Sequence, residues 1–158
     1  MKKPEITLRS YRIGDEGAAI ALWLRAWSAA YPDIDFNARL AWWRTHWAKL
    51  AAAAKIVVAE AAGESGGAEN AEMIGFVTVE PHTRYVDQIV VAPEFWGGGA
   101  GAALLARAKE LSPHGIDLDV NTDNARAVRF YKAQGFTVAG DGVNSLSGRP
   151  VHHMRWRP

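Results

Sequence analysis

The sequence predicts an α+β fold: a single domain over residues 1–158, with a mixed, mostly antiparallel sheet of about six to seven strands, about four helices on both faces and one parallel crossover. Three observations predict it. The first half holds two amphipathic helical stretches and then short runs rich in Val, Ile and Thr, parted by turn residues. Residues 85–106 read YVDQIVVAPEFWGGGAGAALLA: a buried strand, a stop at Pro93, a glycine-dense turn and an alanine- and leucine-rich helix. Residues 116–120 (IDLDV) then alternate strictly, and strand, helix and strand in succession make a right-handed parallel crossover.

Taken in order, residues 6–8 suit a short first strand, and Gly14-Asp15-Glu16 offers an acidic helix start. Ile20, Trp23, Leu24, Trp27 and Tyr31 recur at helical spacing until Pro32 ends the pattern. A second helix from about Phe36 carries Leu40, Trp43, Trp47 and Leu50 as its stripe, with Trp42 and His46 one position round. Five of the seven tryptophans therefore lie between positions 23 and 47, either as core packing or, for some, as the wall of a pocket. Residues 55–60 and 73–80 read as strands of a long hairpin, whose acidic residues Glu64, Glu69 and Glu72 are expected at a solvated tip. With the strand at 85–91 they make an antiparallel meander. The glycine helix runs to about Leu111. In the strand at 116–120, Ile116, Leu118 and Val120 share one face, Asp117 and Asp119 the other, and the strand is expected to run parallel to 86–91. Residues 121–134 form a helix capped near Asp123 or Asn124 and ended by Gly135; strands at 136–139 and 151–156 close the chain.

Composition narrows the function classes. Of 158 residues, 49% are hydrophobic and 22% charged, which is globular, and the net charge of +1 without a basic run leaves out the electrostatic footprint of a nucleic-acid binder. The absence of cysteine excludes disulfides, a thiol nucleophile and thiolate metal sites. His152 and His153 point to opposite faces of a strand and cannot jointly hold a metal, so none is expected. No apolar run follows the initial lysines and none is long enough to span a membrane, so a cytoplasmic location is expected.

The chemistry-bearing stretch is the turn Gly97, Gly98, Gly99 and Gly101 ahead of its helix. Glycines let backbone amides approach a ligand while the helix dipole favours an anion there, so the turn either binds a phosphate or only closes tightly. Two stretches together resemble the GCN5-related N-acetyltransferase (GNAT) superfamily. VVAPEFWGGGAGAALL is similar to its coenzyme A loop, and NTDNARAVRFYKAQGF to its Asn-x-x-Ala-x-x-Phe-Tyr-x-x-x-Gly-Phe element, carried by Asn124, Ala127, Phe130, Tyr131, Gly135 and Phe136. One departure is Trp96, which stands where the family has Gln or Arg.

The resemblance implies an N-acetyltransferase that moves an acetyl group from acetyl-CoA, its cosubstrate, to a primary amine by direct attack in a ternary complex. It implies a coenzyme A loop that starts at Trp96, with the diphosphate on the amides of about Gly97 to Ala102 (Gly97, Gly98, Gly99, Ala100, Gly101 and Ala102), and a bulged strand splayed from its parallel neighbour so that the pantetheine arm meets the amide of Val91 and carbonyls near Ile89. Asn124 then bonds the arm or caps its helix. Tyr131 is the expected general acid. Asp119 is the expected general base, with Glu80, His82 and Asp87 as other candidates. The partner is a small-molecule amine or a peptide amino terminus, neither nucleic acid nor membrane, and a homodimer is compatible with the fold. Two rivals remain: a non-catalytic acetyl-CoA-binding sensor, and a dinucleotide-binding oxidoreductase in which Gly97-x-Gly99-x-x-Ala102 grips the cofactor and Asp117 its ribose.

Overall fold

The structure is a computed structural model that describes residues 4–62 and 70–158. Seven strands form one sheet in the order β1-β2-β3-β4-β5-β7-β6: β1 (Ile6–Ser10), β2 (Lys55–Ala62), β3 (Ala71–Glu80), β4 (Tyr85–Val91), β5 (Ile116–Asn121), β6 (Thr137–Val143) and β7 (Pro150–Trp156). Every neighbouring pair is antiparallel except β4 with β5. The helices are α1 (Glu16–Ala30), α2 (Leu40–Ala53), α3 (Ala100–Leu111) and α4 (Ala125–Ala133). The expected architecture is thus the observed one. Glu72 lies in β3, while Glu64 and Glu69 lie outside the described residues.

Alternation along β3 divides the core into two layers. Phe76 meets the Trp47 ring edge-on at 5.1 Å on the face covered by α1 and α2. Gly75 turns to the other face, where an added Cβ would stand 2.8 Å from the Val90 carbonyl and 3.0 Å from Leu104 of α3. That close approach is why the position takes glycine. Over β3 and β4, α1 and α2 assemble an aromatic layer in which Trp23 stacks on Trp43 at 4.4 Å. On the opposite face α4 packs beside α3, with Lys109 donating to the Gln134 carbonyl at 2.6 Å.

Two helix starts behave differently from each other. Asn124 caps α4 by accepting from the Ala127 amide at 3.2 Å, which settles the choice with Asp123; the latter pairs with Arg149 and accepts from the Tyr31 hydroxyl. Asp15 precedes α1 but its carboxylate does not cap that helix. It accepts from the Arg12 amide and is gripped through both oxygens by Arg9, which also reaches Glu60. A charged partner from the preceding strand outcompetes the local cap. Among the described residues, no helix is long and apolar enough to cross a membrane.

Candidate active site

The site follows from a fault in the sheet. Between β3 and β4 the register slips so that Thr78 faces Gln88 but Val79 faces Val86, which leaves Asp87 as an extra residue, a bulge. The parallel pair β4 and β5 is joined at Tyr85 and Asp117, where the Asp117 amide donates to the Arg84 carbonyl at 2.8 Å, and then the strands part. Ala92 donates to Ile74 on the β3 side. By alternation, the peptide groups of Val91 and Ile89 therefore turn to the gap. A cavity of about 680 Å³ fills it, walled by β4, residues 118–121 of β5, the α1 and α2 aromatics, the start of α3 and one side of α4.

At one end lies the glycine turn. Gly97 and Gly99 have φ of 77° and 94°, and a Cβ on either would meet nothing within 4 Å, so these glycines are needed for backbone shape and leave open space above them. The amides of Gly97, Gly99, Ala100, Gly101 and Ala102 have no hydrogen-bond partner among the described residues; Gly98 spends its amide on the Phe95 carbonyl and does not line the cavity. A row of unspent donors at a helix start suits an anion. Trp96 donates its indole N–H to the Val91 carbonyl at 2.8 Å, and the Arg126 guanidinium lies 4.0 Å above the ring. Arg126 lines the cavity and has no ion-pair partner among the described residues. A cation from α4 thus stands over position 96, where the turn itself has none. Its place was hidden in the sequence because the stack joins residues 30 apart.

At the middle, Tyr131 is buried against Phe130 and Phe136 and lines the cavity. Its hydroxyl has no hydrogen-bond partner among the described residues. Burial pushes its pKa well above the ordinary phenol value, against a smaller downward pull from Arg126. Asp119 lines the same cavity and accepts from the Tyr85 hydroxyl at 2.9 Å through one oxygen, while the other faces His153 Nδ1 at 3.1 Å. Tyr85 was not singled out in the sequence. Burial raises its pKa strongly, as do Asp119, Asp87 and Tyr131 around it, which gathers these four groups at one point.

The far end is the tryptophan layer. Trp23, Trp27, Trp42 and Trp43 line the cavity, whereas Trp47 packs away from it against Tyr11 and Phe76. His46 stacks on Trp42 at 4.7 Å and sets Nε2 2.9 Å from the Asp87 carboxylate. Residues 143–147 and Arg149 close this end. Two of the other base candidates lie elsewhere: Glu80 accepts from the His82 and Thr83 amides in the β3–β4 turn, and neither Glu80 nor His82 lines the cavity.

Asp117, the acid that a ribose-binding reading requires, is committed to β7. It receives Arg155 Nε at 2.8 Å, Arg157 Nη2 at 2.9 Å and His153 Nε2 at 2.9 Å. Burial alone would raise its pKa, but these bonds outweigh it and hold the carboxyl at about 2. A carboxyl depressed in the folded state contributes stability above its unfolded value, lost as pH falls through about 2. Allowing for screening at the half-exposed arginines, Asp117→Asn should cost about 1–2 kcal/mol at pH 7 in urea unfolding, with the gap to the unsubstituted protein closing toward pH 2. His152 pairs instead with Asp141 on the other face of β7, so the two histidines diverge as expected.

Comparison with known proteins agrees with this geometry. The sequence model of a family described as acetyltransferase (GNAT) matches residues 18–136. Peptidyl-lysine N-acetyltransferase YjaB of Salmonella typhimurium is 34% identical over 79 residues, which are 50% of this chain and 52% of that protein. The chain thus matches about half the length of this curated relative. The solution structure of apo-form YjaB from Escherichia coli superposes with a TM-score of 0.69 at 25% identity, over 96% of this chain and 97% of that one. The PaiA N-acetyltransferase of Thermoplasma acidophilum, solved in complex with coenzyme A, does so with a TM-score of 0.71 at 17% identity, over 98% and 99%.

Proposed function

Because the chain belongs to the acetyltransferase (GNAT) family, we propose that it moves an acetyl group from acetyl-CoA to a primary amine by direct attack in a ternary complex. One observation carries the reading: of the five amides at the helix start without a partner among the described residues, those of Gly97, Gly99, Gly101 and Ala102 belong to residues that line the same cavity as the gap between β4 and β5. The amides of Gly97, Gly99, Ala100, Gly101 and Ala102 grip the diphosphate, and the Val91 amide and Ile89 carbonyl pair with the arm as a neighbouring strand would. Trp96 occupies the Val91 carbonyl and so leaves that residue its donor alone. A fixed donor at an oxygen on which charge develops is worth about 10²–10³ in rate. Tyr131 supplies the proton for the departing sulfur, and Asp119 takes one from the attacking nitrogen. Asn124 caps α4 through its side-chain oxygen and also lines the cavity, where its amide nitrogen faces the arm's course as a donor.

Arg126 makes up for the charge that Trp96 lacks. Arg126→Gln should weaken CoA binding about tenfold in calorimetry, since a charge-assisted hydrogen bond contributes about 1.5–3 kcal/mol and this one is exposed. Trp96→Arg in the same chain should recover part of it.

The aromatic far end with Asp87 and Asp119 suits an alkylammonium on an apolar stem, and a lysine side chain in a peptide is the acceptor that the name of the matched relative favours. The test is thiol release from acetyl-CoA with alkylamines, a polyamine and a lysine peptide. Release with the lysine peptide is expected. Tight acetyl-CoA binding with no release from any acceptor would favour the sensor reading, and no acetyl-CoA binding would overturn both.

A further inference from the structure

Acetyl transfer to an amine needs one more proton acceptor than the assignments above supply. The acceptor arrives as R–NH₃⁺ and leaves as an amide: the N–C bond forms, the C–S bond breaks and its electron pair goes to sulfur. The nitrogen sheds two protons in all. One reappears on sulfur by way of Tyr131, and the other is released to water. Attack requires a free lone pair, so the first proton must leave before the N–C bond forms. Asp119 is assigned one of the two.

The cavity holds a second acceptor. His46, from α2, reaches over the bulge of β4 and sets Nε2 2.9 Å from Asp87, and both side chains line the cavity while only about a quarter exposed. The carboxylate is an acceptor, so the nitrogen that faces it carries the proton, and Nδ1 has no hydrogen-bond partner among the described residues. The ring is further held by its stack on Trp42, with planes 11° apart. A hydrogen bond to a carboxylate on one nitrogen fixes the tautomer and stabilises the imidazolium formed when the other takes a proton. Imidazole is the side chain suited to that exchange near neutral pH. The other titratable groups at this point are Tyr85, whose hydroxyl is spent on Asp119, Asp119 itself, whose two oxygens face Tyr85 and His153, and Tyr131, the assigned proton donor.

We propose that the His46–Asp87 pair removes the proton from the incoming ammonium, with His46 as the acceptor and Asp87 as the residue that positions it. The proposal rests on the acyl-transfer reading, and its test separates the two. A lysine peptide is compared at pH 7.5 with the same peptide carrying an aminooxy group in place of the terminal methylene and amine, a weakly basic nucleophile that arrives already neutral. His46→Gln should lower kcat/KM about 100-fold for the lysine peptide and less than about threefold for the aminooxy peptide, because general-base catalysis contributes about 10²–10⁴. Asp87→Asn should show the same contrast with a loss of about tenfold. Calorimetry with CoA checks that each variant is folded, and if His46→Gln is not, Asp87→Asn carries the comparison. Equal losses on both peptides, or no loss on either, would overturn the proposal. An unsubstituted protein that turns over neither peptide, nor the alkylamines and the polyamine, would overturn the acyl-transfer reading, and this inference with it.

Discussion

Replacing Tyr131 with phenylalanine is expected to lower kcat by about 10²–10³-fold while leaving CoA affinity within about twofold. The ring stays between Phe130 and Phe136, so packing is kept. What is lost is a hydroxyl without a hydrogen-bond partner among the described residues. Burial raises the pKa of that hydroxyl well above the ordinary phenol value and so favours the protonated form. The same dry surroundings raise the affinity for a proton of a thiolate forming beside it, so donor and recipient stay matched in one medium. The alkaline limb of the pH–rate profile should therefore show no loss from Tyr131 ionising up to about pH 10. A phenylalanine variant with unchanged kcat would remove Tyr131 as the acid.

Trp43→Ala is expected to cost about 3–5 kcal/mol in urea unfolding, the largest loss of stability from any single side chain considered. Trp43 is 0% exposed, stacked on Trp23 and in ring contact with Trp42, His46 and Trp47. Its indole Nε1 is buried without a partner among the described residues, which itself costs about 1–3 kcal/mol. Trp43→Phe removes that donor together with part of the ring, so the two effects oppose and the net cost should stay below about 1.5 kcal/mol. A phenylalanine variant as unstable as the alanine one would mean that the donor is satisfied in solution.

Most of the fold was legible because it rests on local patterns. The alternation of Ile116, Leu118 and Val120 and the stop at Gly135 each declare an element within a few residues, and the glycine turn with its helix declares the crossover. Tyr131 and Asp119 were reached through motif position. What stayed hidden depends on pairs brought together only by the fold. Arg126 on Trp96, Tyr85 on Asp119 and His46 on Asp87 join residues 30, 34 and 41 apart, and neither partner signals the other in sequence. The bulge at Asp87 is likewise a matter of register against β3. Asp15 shows the opposite failure: a correct local signal for a helix start whose side chain was claimed by Arg9, a partner from the preceding strand.

The most direct test of the central claim is calorimetric titration of the purified protein with acetyl-CoA, CoA and NAD. Saturable binding of acetyl-CoA and CoA with no heat from NAD is the result expected of the glycine turn and the open gap beside it. Binding of NAD without acetyl-CoA would contradict the account and return the Gly97-x-Gly99-x-x-Ala102 turn to the dinucleotide reading.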